Sequence, residues 1–172
     1  MKIKTLEDLL ADELKDLYSA ENQLVKALPK IAKAVESEDL RSAFEEHLKQ
    51  THKHVERLER ICKKLEINPK GKKCMGMEGL IGEGIEILNS EGETEPLEAG
   101  FIGAAQRVEH YEIAAYGTAR AHARQLGFIE IANLLGKTLE EEKRADENLT
   151  KIAENQVNVQ AAMLNPGEEM KM

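Results

Sequence analysis

The sequence predicts an all-α fold, an antiparallel four-helix bundle with one additional short helix between the second and third long helices. Three observations carry this. The composition favours helix, with many Ala, Leu, Glu and Lys residues, only 3% aromatics, four Pro and no Trp. Apolar residues recur at steps of three, four and seven, the period of a helix with one buried face. Breaking signals then divide the chain into four long periodic segments and one short one. At 172 residues the chain suits one domain with a sizeable core. We place that domain at 1–158 and a flexible C-terminal tail at 159–172.

The first helix opens on Thr5 and Asp8, a capping-box pair, and its apolar face reads Leu10, Leu14, Leu17, Leu24, Leu28, Ile31, Val35. Pro29 removes a backbone donor inside this pattern, which predicts a kink near residues 25–29 unless the helix ends there. Ser37, Glu38 and Asp39 form a short turn and supply a cap. Leu40, Phe44, Leu58, Ile61 and Leu65 then mark a second helix, antiparallel to the first because the turn is short. Asn68 to Gly71 break the chain. A short helix follows from about Met75 to Leu88, and its four glycines weaken it while permitting close helix packing. These glycines are not a phosphate loop, since no strand precedes them and no Gly-Lys-Ser/Thr follows. Residues 89–96 read as loop, with Thr94 as cap and Pro96 in the first turn of a third long helix. Its face is Phe101, Ala105, Val108, Ala115, Ala119, Leu126, and Gly127 ends it. The last long helix carries Ile131, Leu135, Leu149 and Ile152, and the tail with Asn165, Pro166 and Gly167 frays.

Net formal charge is −8, and the basic residues are interspersed with acidic ones, which argues against nucleic acid as a partner. No segment approaches about 18 consecutive apolar residues, and Met1–Leu10 lacks a signal-peptide core. A cytoplasmic protein without a membrane partner is expected. Cys62 and Cys74 are too few and wrongly spaced for a zinc or redox motif. They permit a disulfide without requiring one.

The central observation is that every long apolar seam turns polar at its middle. Helix one places Glu21 between Leu17 and Leu24. Helix two places His47, Thr51 and His54 between Phe44 and Leu58. Helix three places Glu112 between Val108 and Ala115, with Glu109 on the adjacent turn. The last helix places Glu142 between Thr138 and Leu149, with Asp146 one turn on. Residues equally far from a hairpin turn lie at one level, which pairs Glu21 with His54, and Glu109 and Glu112 with residues near 145 and 142. Unpaired buried carboxylates cost several kcal/mol or take up protons, and a cation is the simplest compensation. Carboxylate-plus-imidazole sites in bundle cores hold two metals in di-iron and di-manganese proteins. The expected ligands are Glu21, Glu112 and Glu142, then His54 and Glu109. Asp146 and His47 serve as ligands or as partners orienting them. The alternative, a salt-bridge network using Lys and Arg, makes the polar core metal-free. His52 and His110 fall on the surface. Tyr18 and Tyr116 lie one turn from Glu21 and Glu112, where either could hydrogen-bond a ligand or pack in the core.

Five stretches carry a resemblance: Tyr18-Ser-Ala-Glu21; His47-Leu-Lys-Gln-Thr51; Cys74-Met-Gly-Met-Glu-Gly-Leu-Ile81; Val108-Glu-His-Tyr-Glu-Ile-Ala114; and Leu139-Glu-Glu-Glu-Lys143 with Asp146. Together they resemble the YciE/YciF family of bacterial stress-associated, ferritin-like proteins, over the chain up to about Ala153. The resemblance implies a ferritin-like bundle, a homodimer, and similarity to rubrerythrin-type di-iron proteins, in which a Glu-x-x-Glu on the third helix pairs with a Glu and a His on the fourth. Glu109, Glu112 and Glu142 match that pattern. Asp146 stands where the His would be, and helix two has no Glu-x-x-His. The expected cofactor is two metal ions, iron first and manganese second, with a small oxidant or a metal ion as substrate. Activity of ferroxidase, peroxidase or catalase type is one reading. A non-catalytic helical dimer acting as a binding or structural module is the other.

Overall fold

The computed structural model describes residues 3–164. Helix α1 spans Leu6–Ala34, α2 Glu38–Lys64, α3 Met75–Leu88, α4 Thr94–Gln125 and α5 Ile129–Ile152. A π-helical turn, Ala153–Val157, leads into α6, Asn158–Met163. Helices α1 and α2 form one hairpin and α4 and α5 the other. The hairpins meet along α1–α4 and α2–α5, and α3 lies across α1 and α4. The predicted all-α bundle with its extra short helix is therefore the fold.

Local chemistry sets the helix ends. Thr5 and Asp8 form the capping box at α1, and the Ser37 hydroxyl accepts the Leu40 N–H at α2. Gly127, at φ +78°, provides the left-handed turn between α4 and α5. The helix limits bear on three expectations. Helix α1 does not end at Pro29 but continues to Ala34, because Leu28 and Ala32 bury their side chains on either side of it and hold the helix against the lost hydrogen bond. Thr94 is the first helical residue of α4, and Glu93 takes the cap position without a side-chain bond. Helical structure passes the expected boundary at 158 and reaches Met163, anchored by buried Ile152, Ala153 and Val157. Asn165, Pro166 and Gly167, expected to fray, lie outside the described residues.

The hydrophobic interior is divided in two. One cluster joins Leu24, Leu28, Phe44, Met77, Phe101, Ile102, Leu149 and Ile152 with the residues around them. The other joins Leu10, Leu14, Leu17, Leu58, Ile61, Ala119, Ile131 and Leu135 with theirs. Between them lies a buried polar layer. Cys62 and Cys74 fall in different clusters as free buried thiols.

Helix α3 is fastened at its first turn. The Cys74 N–H donates to Ser19 Oγ at 2.9 Å, and Gln23 Nε2 donates to the Cys74 carbonyl at 3.0 Å. Gly76 abuts the Tyr111 ring so closely that a Cβ would sit 2.7 Å from Cε2. The close packing expected of the α3 glycines is real at Gly76, whereas Gly79 and Gly82 have nothing within 4 Å. Glu98 of α4 is also buried. Its carboxylate accepts the N–H groups of Glu36 and Ser37 at 2.5 and 2.8 Å, which fixes the α1–α2 turn at the start of α2.

Candidate metal centre

The polar layer is built by the four long helices at one depth. Glu21 of α1, His54 of α2, Glu112 of α4 and Glu142 of α5 are fully buried, and His47 and Glu109 nearly so. His54 Nδ1 lies 3.4 Å from Glu21 Oε1 and 2.9 Å from Glu142 Oε1. His47 Nε2 lies 3.4 Å from Glu109 Oε1, and its Nδ1 lies 3.9 Å from Glu142 Oε2. Among the described residues two groups offer ligand atoms within 4.8 Å of one another. One is His47, Glu109, Glu112 and Glu142; the other is Glu21, His54 and Glu142. Glu142 belongs to both.

Six of the seven candidate ligands thus converge. Asp146 does not join them. It accepts hydrogen bonds from Gln106 at 3.1 Å and His110 at 3.2 Å. Four residues beyond Glu142 it sits one turn along the helix and about 40° round it, and that turn carries it off the seam. His110, expected at the surface, is exposed and paired with Asp146; His52 is exposed. Thr51 donates to the His47 carbonyl at 2.8 Å and is used up within α2. Of the two tyrosines, Tyr116 is buried and its hydroxyl donates to Glu21 Oε1. Tyr18 packs against the Leu10–Leu14–Leu17 cluster, and its hydroxyl donates to Glu59 at 2.9 Å.

A second layer of contacts holds His54. Its Nε2 donates to Glu141 Oε2 at 3.0 Å, and Arg57 grips the same carboxylate at 2.8 Å while also bonding Thr138 Oγ1. With Nε2 committed outward, Nδ1 faces Glu21 and Glu142, where it would bind a cation on losing its proton. Glu141 and Arg57 were not found from sequence. Both lie beside the seams, Glu141 next to Glu142 and Arg57 three residues after His54, and an i, i+3 search around the seam histidines would have raised Arg57.

Charge in the layer is out of balance. Burial disfavours the His54 imidazolium, but the Glu142 and Glu21 carboxylates override it and raise its pKa to about 10. Burial lowers the pKa of His47, with Glu142 opposing only in part. Glu109 and Glu112 are pushed well up, first by burial and then by neighbouring carboxylates. Burial also raises Glu21 against the pull of His54, whereas the histidines hold Glu142 down despite its burial. Both oxygens of Glu112, both nitrogens of His47, Glu21 Oε2 and Glu109 Oε2 lack a well-formed hydrogen bond, whereas His54 Nδ1 and Glu142 Oε1 hold each other as an ion pair. Buried polar atoms are ordinarily satisfied. Atoms of the two residue types that bind iron and manganese, left unpaired and aimed at one another, fit a metal site. A polar groove of about 210 Å³ between α2 and α5, lined by Glu46, Gln50, Glu141 and Arg144 among others, reaches His47 from outside.

The fold and this buried layer define the class: a ferritin-like four-helix bundle with a carboxylate–histidine core. The family pattern described as "Domain of unknown function (DUF892)" matches residues 5–162, and the chain belongs to that family. It is 47% identical to Protein YciF of Escherichia coli (strain K12) over 162 residues, 94% of this chain and 98% of that protein. The crystal structure of the E. coli stress protein YciF superposes with a TM-score of 0.88 at 47% identity, covering 91% of this chain and 99% of the other. YcfI from Rhodopseudomonas palustris superposes at 0.85 with 42% identity, over 88% and 97%. A ferritin-like, diiron-carboxylate protein from Bacillus anthracis str. Ames reaches 0.68 at 16% identity, over 87% and 99%, a likeness of fold alone. Among the described residues no helix is long and apolar enough to cross a membrane.

Proposed function

We propose that the buried layer binds two metal ions, iron in preference to manganese, and that the protein handles iron, oxygen or peroxide as a cytoplasmic homodimer in a stress response. The ligand atoms of Glu21, His47, His54, Glu109, Glu112 and Glu142, collected in two groups that share Glu142 and many of them without a hydrogen-bond partner, carry this reading. Bound there, the ions would supply Lewis-acid and redox chemistry toward a small oxidant. The chain's own residues prepare the place. Arg57 and Glu141 fix the His54 ring, Tyr116 orients Glu21 by donating to it, and the two apolar clusters on either side limit water.

One observation favours a metal-free core: His54 pairs closely with Glu142 and Glu21, as an internal ion-pair network would. That pairing does not reach Glu112, whose oxygens have no donor. Two imidazoles also cannot neutralise four carboxylates. The balance favours cations.

The test is the metal content of protein purified without chelator and resupplied with iron(II) or manganese(II), measured by plasma mass spectrometry, with mass in solution by light scattering. About two ions per chain, reduced to one or none in Glu112→Gln, supports the proposal. Substoichiometric metal in wild type and variant alike would leave the structural module.

A further inference from the structure

Resting on the metal-centre reading, we propose that the apolar cavity beneath α3 is a binding site for dioxygen that feeds the His47–Glu109 edge of the centre. The cavity has a volume of about 30 Å³, and its walls come from α1, α2, α3 and α4. Its lining is aliphatic and aromatic, including Leu24, Ile31, Phe44 and Val108, except at one end, where His47 and Glu109 stand. Both residues hold metal-ligand atoms without hydrogen-bond partners. An apolar space that opens onto unpaired ligand atoms in this way leads somewhere chemically specific.

Size and polarity choose the occupant. A cavity of this volume holds one molecule of about water size. Dioxygen has no hydrogen-bonding proton and enters apolar space at little cost. Hydrogen peroxide carries two O–H donors, and away from the His47–Glu109 end the lining offers them no acceptor, a loss of about 1 to 3 kcal/mol for each donor left unpaired. Metal ions are excluded on the same ground and have the polar α2–α5 groove instead.

An approach from outside also exists. A surface groove of about 390 Å³ between α1 and α3 is lined by Gln23, Lys26 and Ile85 among others, and it shares Ala27, Ile31 and Ile81 with the cavity. Those three side chains line both spaces, so the groove is the nearest approach to the cavity from solvent. Gly84 keeps the space open. A Cβ at that position would lie 3.8 Å from Ala104 Cβ and 4.0 Å from Ile31 Cδ1, ordinary contacts that the fold accepts. Gly84→Ala therefore narrows the cavity without forcing the helices apart, and it raises the helix propensity of α3.

The experiment has two arms. In metal-free protein under several bar of dioxygen, methyl NMR should show the largest paramagnetic enhancement at Ile31, Ile81, Leu28 and Val108, with little at Leu14, Leu17 and Leu135 in the opposite cluster. Gly84→Ala should cut the enhancement at Ile31 and Ile81 at least twofold while the thermal midpoint holds or rises. In protein loaded with iron(II), Gly84→Ala should slow oxidation by dioxygen several-fold and leave oxidation by hydrogen peroxide unchanged. Enhancement spread evenly over both clusters, or a Gly84→Ala variant that slows both oxidants alike, overturns the proposal. Enhancement at the cavity in a protein that takes up no iron supports the dioxygen site and rejects the metal centre, so the two readings fail separately.

Discussion

Removing the Glu112 carboxylate should stabilise the metal-free protein and destroy its response to metal. In the unfolded chain this carboxyl ionises near its ordinary value of 4.5, whereas in the fold burial and the charges of Glu21, Glu142 and Glu109 push its pKa well up. A group whose folded pKa is raised binds its proton more tightly in the fold, so stability falls as pH rises from 4.5 toward the folded value. Holding a proton on Glu112 is a cost that grows as pH rises above 4.5. Glu112→Met is similar in volume and carries no charge. Replacing buried ionisable groups by apolar ones of similar size stabilises by about 1 to 4 kcal/mol, so after imperfect packing the variant should gain about 2 kcal/mol at pH 7, or roughly 4 to 8 °C in thermal midpoint for a chain of this length. Circular-dichroism melts with chelator at pH 7 and pH 5 measure this, and the gain should nearly vanish at pH 5. With manganese(II) or iron(II) the order reverses, because wild type is stabilised and the variant is not. A variant that loses stability at pH 7 without metal, or gains equally at both pH values, refutes the claim that Glu112 is an uncompensated buried acid.

Three further outcomes follow from the same geometry. Arg57→Ala leaves all six ligands in place but releases Glu141 and hence His54, so metal affinity by chelator competition should fall about 10- to 100-fold; unchanged affinity would show that the His54 ring needs no such support. Without metal, stability to urea should decline as pH rises above about 6.5: Glu109 and Glu112 lose stability from about 4.5 upward and are opposed by the lowered His47 only up to 6.5, and His54, held at about 10, adds its own loss from 6.5 through that value. A rise between pH 6.5 and 8 would contradict the signs assigned here. Glu98→Ala removes the acceptor of two backbone N–H groups at the α1–α2 turn and should cost about 2 to 4 kcal/mol in urea unfolding with metal content unaltered; a cost below about 0.5 kcal/mol would mean the turn holds itself.

The bundle was legible in sequence because its information is periodic. Leu10, Leu14 and Leu17 on one side of Glu21, and Leu24 and Leu28 on the other, state a buried face and its interruption in the same run of residues. Hairpin symmetry then placed Glu21 opposite His54, and the two lie 3.4 Å apart. What periodicity omits is the direction of each side chain within its layer. Asp146 satisfies the i, i+4 spacing from Glu142, yet its rotation about α5 delivers it to Gln106 and His110. Glu141 and Arg57 belong to the centre although each belongs to a solvent face by pattern, because a long side chain can reach back across its helix. Glu98 was hidden for a similar reason: its partners are backbone N–H groups 61 and 62 residues away, and no local pattern announces them. At Pro29, local pattern left a kink or a helix end open, and burial of Leu28 and Ala32 carries the helix past it.

The two halves of the centre are unequal, and metal should enter them in order. Helix α2 gives one imidazole to each group, from residues seven apart and so two turns apart on one face. Around Glu21, His54 and Glu142 the ligands are already held: Tyr116 fixes Glu21, and the Arg57–Glu141 pair fixes the His54 ring. Around His47, Glu109 and Glu112 little is held, for neither His47 nitrogen has a hydrogen-bond partner, and both carboxyls, pushed well up, resist giving up their protons to a cation, against the single proton that His54 must release in the other group. Preorganised ligands lose less on binding, whereas proton release sets a pH-dependent penalty. Calorimetric titration with manganese(II) at pH 7 should therefore resolve one tighter and one weaker event. Lowering the pH to 6 should weaken the second event more than the first. His47→Asn should abolish the weaker event and spare the tighter one, and His54→Asn should impair both, since loss of the fixed imidazole also frees the shared Glu142. Two equal sites, or loss of the tighter event in His47→Asn, would show that support outside the ligand set does not rank the two positions.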